Sequence, residues 1–283
     1  MTFLSGAPSN PSLEGIVERL WWAEGTASHR FERLVPSGKP QLLVNLHEPE
    51  LRTYDDVPAA TTVEAARARR IGGAGLSGVY DRPIVIDTAS QRSVIGVSLT
   101  ITGAAALVGD VSAETIAGAH VDLRDLWGVD GAVLRERLLG AATPEGQLAT
   151  LERALGDHVA RTSVARSDMQ RMQRALDELD GSRSLRDLCR DLGASERSFR
   201  RHVKRWVGIG PKRLARLRRF GRVLTAIEQS THDVSGGVDW AWLATDVGYF
   251  DQAHLIGEFR SFGGMTPTAY RAHRPASRHH VPL

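Results

Sequence analysis

The strongest constraint on this chain is a pattern that occurs twice near its C-terminus: an apolar helix, a glycine, a second helix, a glycine and a proline. The first copy runs through Leu185, Leu188, Cys189, Leu192 and Gly193, then Phe199, Val203, Trp206, Gly208 and Pro211. The second runs through Trp240, Leu243, Ala244, Val247 and Gly248, then Leu255, Phe259, Phe262, Gly264 and Pro267. The copies are offset by 55 residues up to the glycine of the turn and by 56 after it, so the second turn is one residue longer. Apolar positions fall at i, i+3, i+4 and i+7, the period of one buried helical face. Two tandem helix-turn-helix units are expected, each offering one helix to a DNA major groove. For a single copy, a plain helical bundle whose stripes only form a core is the alternative.

Charge separates these readings. Residues 182–223 carry 14 basic and 3 acidic side chains, a local net charge of +11 inside a chain of net +3, while residues 1–181 are net −6 and residues 224–283 net −2. Phosphate contacts dominate nucleic-acid affinity, and the planar guanidinium suits them. The basic residues line the first helix-turn-helix and the helix after it, which points to double-stranded DNA as the partner rather than to an inert solvated face.

Within the first copy Ser195 is placed as an N-cap, and the helix it opens runs to about Trp206. Phe199, Val203 and Trp206 face inward, leaving Arg197, Ser198, Arg200, Arg201 and Lys204 outward. Arg197, Arg200 and Arg201 are the expected base readers, with Lys204 and Arg205 as phosphate contacts, because the N-terminal half of a recognition helix meets the bases. Arginine most often reads guanine, so a G-containing first half-site is expected. Pro211 opens a basic joining helix of about 17 residues, roughly 25 Å long, that sets the separation of the units.

The segment from Asp239 to Leu255, followed by Glu258 to Pro267 and by Tyr270-Arg271, resembles the C-terminal domain of AraC/XylS transcriptional regulators over about residues 182–274. The resemblance implies seven helices, two helix-turn-helix units, a rigid joining helix and an N-terminal domain that senses an effector or dimerises. It also implies contact with RNA polymerase if the protein activates, and the possibility of a homodimer. Where the family commonly has a polar residue followed by arginine, this chain has Ile256 and Gly257. The second unit is therefore expected to bind more weakly than the first, contributing through Gln252, His254 and Arg260 or by shape. Gly257 alternatively allows close backbone approach to DNA.

The N-terminal half alternates short apolar runs with turn residues. Segments 41–47, 83–87 and 94–100 read as strands of a small antiparallel barrel or sandwich. From Gly103 the pattern becomes helical, with amphipathic helices at 133–139 and 148–159. Their leucines cover either the chain's own sheet or a partner helix, the partner being slightly favoured. The fold class is α+β: a domain over 1–166, β-rich to about residue 100 and helical after it, an all-α DNA-binding domain over 167–275, and a disordered tail over 276–283.

Strands, then helices, then paired helix-turn-helix units resemble family members with a cupin-like sensing domain. Trp21, Trp22, His47, Tyr54 and Trp127 are candidates for an aromatic effector pocket, with ordinary core packing as the alternative. Catalytic residues, metal and cofactor are not expected. His29, His47 and His120 are isolated, no phosphate loop is present, and the lone Cys189 lies in an apolar stripe. His279-His280 could hold stray metal weakly. No run of about 18 apolar residues occurs and Met1 to Pro11 does not read as a signal peptide, so a cytoplasmic protein that does not engage membranes is expected. A DNA-binding transcription regulator controlled by a small molecule leads, and a cupin-type small-molecule enzyme with an appended binding module is the rival.

Overall fold

The structure, a computed structural model, describes residues 2–55, 68–109, 111–179, 185–230, 238–273 and 279–283. Residues 182–184 at the start of the basic segment and 276–278 of the expected tail lie outside the described residues.

The strands are β1 (Thr2–Gly6), β2 (Val17–Glu24), β3 (Phe31–Leu34), β4 (Gln41–Asn45), β5 (Glu50–Tyr54), β6 (Arg69–Gly72), β7 (Ala74–Ser77), β8 (Ile84–Asp87), β9 (Ser93–Leu99), β10 (His120–Asp122) and β11 (His280–Pro282). They form two antiparallel sheets, one ordered β1-β2-β9-β4-β7-β10 and the other β11-β3-β8-β5-β6. The three strands expected from sequence appear as β4, β8 and β9. In the helical part of the N-terminal half a further strand, β10, forms by pairing His120 with Ser77 and Asp122 with Gly75.

The helices are α1 (Gly103–Val108), α2 (Leu123–Trp127), α3 (Val129–Leu139), α4 (Pro144–Val159), α5 (Arg166–Asp177), α6 (Leu185–Asp191), α7 (Glu196–Val207), α8 (Pro211–Ser230), α9 (Trp240–Asp246), α10 (Gln252–Gly263) and α11 (Pro267–His273). Alternate residues of the first sheet, Leu42 and Val44, Ala74 and Leu76, Ile95, Val97 and Leu99, bury one face. Leu107, Leu134, Leu138, Leu151 and Leu155 cover that face. The stripes of α3 and α4 therefore close over their own sheet, and the slight preference for a partner helix is corrected: a sheet face this apolar is covered first by the nearest chain.

The C-terminal residues also depart from expectation. Rather than a disordered end, residues 279–283 add β11 to the edge of the second sheet, pairing His280 with Leu34 and Pro282 with Glu32. Val281 is fully buried, and His280 Nδ1 lies 2.9 Å from Glu32 Oε2, whose other oxygen meets His29 Nε2 at 2.7 Å. Burial acts to raise the Glu32 carboxyl, but the two imidazoles more than offset this and hold it below the usual carboxylate range.

A second apolar cluster holds the helix-turn-helix half and reaches into the first half through Val35, Val79 and Ile101. Helix α5 links the two cores, since Met169 belongs to the first and Ala175 and Leu176 to the second.

Candidate nucleic-acid interface

Both repeats fold by the same local devices. After α6, the Gly193 N–H donates to Arg190 O (3.1 Å) and the Ala194 N–H to Cys189 O (2.9 Å). After α9, the Gly248 N–H donates to Thr245 O (3.1 Å) and the Tyr249 N–H to Ala244 O (2.8 Å), the same bonds 55 residues on. This reversal needs a left-handed residue, supplied by Gly193 at φ 61° and Gly248 at φ 84°. The next helices then start on side-chain caps. Ser195 Oγ accepts from the Ser198 N–H at 3.1 Å, and Asp251 Oδ1 accepts from the His254 N–H at 2.7 Å. Both end at left-handed glycines, Gly208 and Gly264. Helix α7 begins at 196 and α10 at 252, which places the extra residue in the second turn.

Opposite the buried Phe199, Val203 and Val207, helix α7 exposes a row of cations. Arg197, Arg201 and Arg205 make no hydrogen bond or ion pair with a described residue. Arg200 pairs with Glu196 one turn back at 2.9 Å, an exposed pair that a phosphate or guanine can displace. Ser198 is half-buried. Lys204 is committed differently: its Nζ lies 3.0 Å from Glu114 Oε1, in a short 3-10 turn over Ala113–Ile116 of the N-terminal half. Trp206 is not simply inside the C-terminal core; half-buried, it packs against both apolar clusters.

Most basic side chains of the joining helix are engaged within the fold. Helix α8 has 20 residues, about 30 Å at the usual rise. Arg213 Nε bonds Asp81 Oδ2 at 2.7 Å, Arg216 grips both oxygens of the buried Glu258, Arg218 bonds Leu176 O, and Arg222 reaches Val247 O. Arg219 lies over the Tyr249 ring. Burial acts to raise the Glu258 carboxyl, but Arg216 outweighs it and leaves the group below the ordinary range. These partners lie far away in sequence, which is why the run reads as a free phosphate-binding surface until the chain is folded.

The second recognition helix, α10, buries Leu255, Glu258, Phe259 and Phe262, while Ile256 packs against the core rather than facing outward. Gln252, Ala253, His254, Gly257 and Arg260 are exposed. His254 is partly used: its Nδ1 accepts from the Phe250 N–H at 3.3 Å and its ring meets Tyr249 edge-on at 5.2 Å. Phe250, outside the apolar stripe, is 90% exposed. Only its break with the stripe signals it in sequence. Leu192, placed by its spacing in the core stripe, is instead 43% exposed, whereas Cys189 is buried and its thiol raised by that burial.

The aromatic candidates do not converge. Trp22 is buried in the first core, Trp21 stacks on Phe3, Tyr54 meets Phe31 edge-on, His47 is exposed, and Trp127 stacks on His158 at 4.1 Å while its Nε1–H donates to Leu107 O. Among the described residues no three His, Cys, Asp or Glu side chains are arranged to hold a metal ion. His120 sits apart against Tyr80, 2.5 Å from its hydroxyl, and burial lowers its pKa to about 4. No helix among the described residues is long and apolar enough to cross a membrane.

A cavity of about 540 Å³ opens at the seam of the two halves. Ala105 and Val111 line it from the N-terminal half, Arg171 and Met172 from α5, and Phe199 and Arg205 from α7.

Two capped, glycine-turned helix pairs, one with an exposed row of arginines, define a double helix-turn-helix DNA-binding domain. Residues 188–273 match the family model described as a helix-turn-helix domain, and residues 7–122 match a domain of unknown function, DUF6597. The C-terminal region thus carries a helix-turn-helix domain. No curated protein matches the chain. Similar solved structures include ToxT from Vibrio cholerae, at 9% identity over 95% of this chain and 97% of that one with a TM-score of 0.44. An unsaturated fatty acid-bound form of ToxT matches at 10% identity, covering 95% and 94% of the two chains, with a TM-score of 0.42.

Proposed function

We propose that the chain is a sequence-specific transcription regulator whose grip on DNA is set by a small molecule held at the seam of its two halves. The observation that carries this reading is the position of α7. Its outer face presents Arg197, Arg200 and Arg201 to solvent, and its flank forms a wall of the 540 Å³ cavity, within the range of small-molecule sites.

The cavity gives the effector a chemistry. Met172, Phe199, Trp206 and two exposed apolar residues, Val111 and Leu192, offer an apolar lining. Arg171, Arg205 and His202 face it against one carboxylate, Asp168, which lies 3.6 Å from Arg171. An organic anion with an apolar body fits that balance. Held there, it draws on Arg205, so ligand and phosphate compete for the same cation. A homodimer and a contact with RNA polymerase complete the proposal, and light scattering of the purified chain tests the first.

Gel-shift titration of promoter duplexes tests the DNA reading: a preferred sequence with steep salt dependence supports it, and equal binding to all sequences overturns it. Thermal-shift screening with aliphatic and aromatic carboxylic acids tests the effector site. A stabilisation lost in R171A and R205A supports the seam site, and one unchanged in both overturns it.

A further inference from the structure

The two recognition helices present opposite chemistries to the groove. The outer face of α7 is cationic, whereas the corresponding face of α10 begins with Phe250, Ala253 and Gly257, all exposed, and carries no cation until Arg260. The backbone of Phe250 is held in place. Its N–H is bonded to His254, the His254 N–H is capped by Asp251, and the neighbouring Tyr249 is buried in the core. A ring 90% exposed at the start of a recognition helix stands at the end that approaches base edges most closely. An added Cβ at Gly257 would meet nothing within 4 Å, so no packing inside the chain requires glycine there.

In the major groove the one apolar group on a base edge is the thymine C5-methyl, and alanine and phenylalanine are among the side chains that contact it. We propose that the second unit reads thymine methyl groups through Phe250 and Ala253, with Gly257 leaving the helix free to sit close. The operator is then asymmetric, with guanine read by arginine in one half-site and thymine by apolar contact in the other. This deepens the regulator reading above and rests on it.

Deoxyuridine in place of thymidine removes only the methyl group and keeps base pairing. With the full-length protein and a duplex it prefers, uracil at one or two positions of the second half-site is expected to weaken binding about three- to fivefold each, the worth of roughly one buried methyl. F250A, at an exposed position, is expected to keep the wild-type melting temperature, to bind the thymine duplex more weakly and to lose most of the uracil effect. Equal binding of thymine and uracil duplexes by the wild-type protein overturns the inference, as does an F250A protein that stays fully uracil-sensitive, the result expected if the ring docks a protein instead. Failure to find any preferred duplex overturns the regulator reading itself and this inference with it.

Discussion

Arg216 and Glu258 illustrate how the folded chain redirects charge. Glu258 is the acidic residue in the buried face of α10, and Arg216 lies on its far-off partner helix. Because the pair holds the folded carboxyl below its unfolded value of about 4.3, its stabilisation is present above that pH and is lost as pH falls through the folded value. E258Q is expected to lower unfolding free energy by about 1–3 kcal/mol at neutral pH and to flatten the acid limb of the stability profile, measured by urea denaturation. Arg200 makes the opposite case. Its ion-pair partner among the described residues is Glu196 in its own helix, so R200A is expected to relax preference at one base pair by about 1–3 kcal/mol, read from affinities across single-substitution duplexes. Uniform weakening on every sequence would assign Arg200 to phosphate. The outward position of Arg197, Arg200 and Arg201 was legible because it is the complement of a stripe. The fates of Arg213 and Arg218 were not, since Asp81 and Leu176 reach them only through the tertiary fold.

At the scale of elements, what could be read from sequence was what local chemistry decides. Ser195 as a cap, glycine at the turns, the one-residue difference between repeats and strands β4, β8 and β9 all follow from short-range signals. Strand β11 carries no such signal, because the three residues His280-Val281-Pro282 become a strand only when the edge of β3 is present to pair with them. Removal of residues 279–283 is expected to cost about 1.5–3 kcal/mol, mainly through Val281, with the loss visible in thermal denaturation. In α10, Gly257 has open space around it and an ordinary helical backbone, so G257A is expected to stabilise by about 0.4–1 kcal/mol. A destabilised G257A would show that glycine is required by the fold itself.

At the scale of the molecule, the N-terminal half is packed into the helix-turn-helix half rather than appended to it. Trp206 packs against both cores, α5 contributes to both, and Glu114 holds Lys204 on the recognition helix. An exposed pair of this kind is worth up to about 1 kcal/mol, so E114Q is expected to tighten DNA binding up to about fivefold and to steepen its salt dependence by freeing one cation. Unchanged affinity would mean that Lys204 does not reach phosphate. The most direct test of the whole is selection of bound duplexes from a randomised pool by the full-length protein, with the enriched sites sequenced. A double helix-turn-helix reader with an arginine-faced first unit and an apolar second one predicts a bipartite motif, guanine-bearing in one half and thymine-bearing in the other, spaced by about one helical turn. A pool that enriches no sequence, or a single short half-site indifferent to its flank, would contradict it.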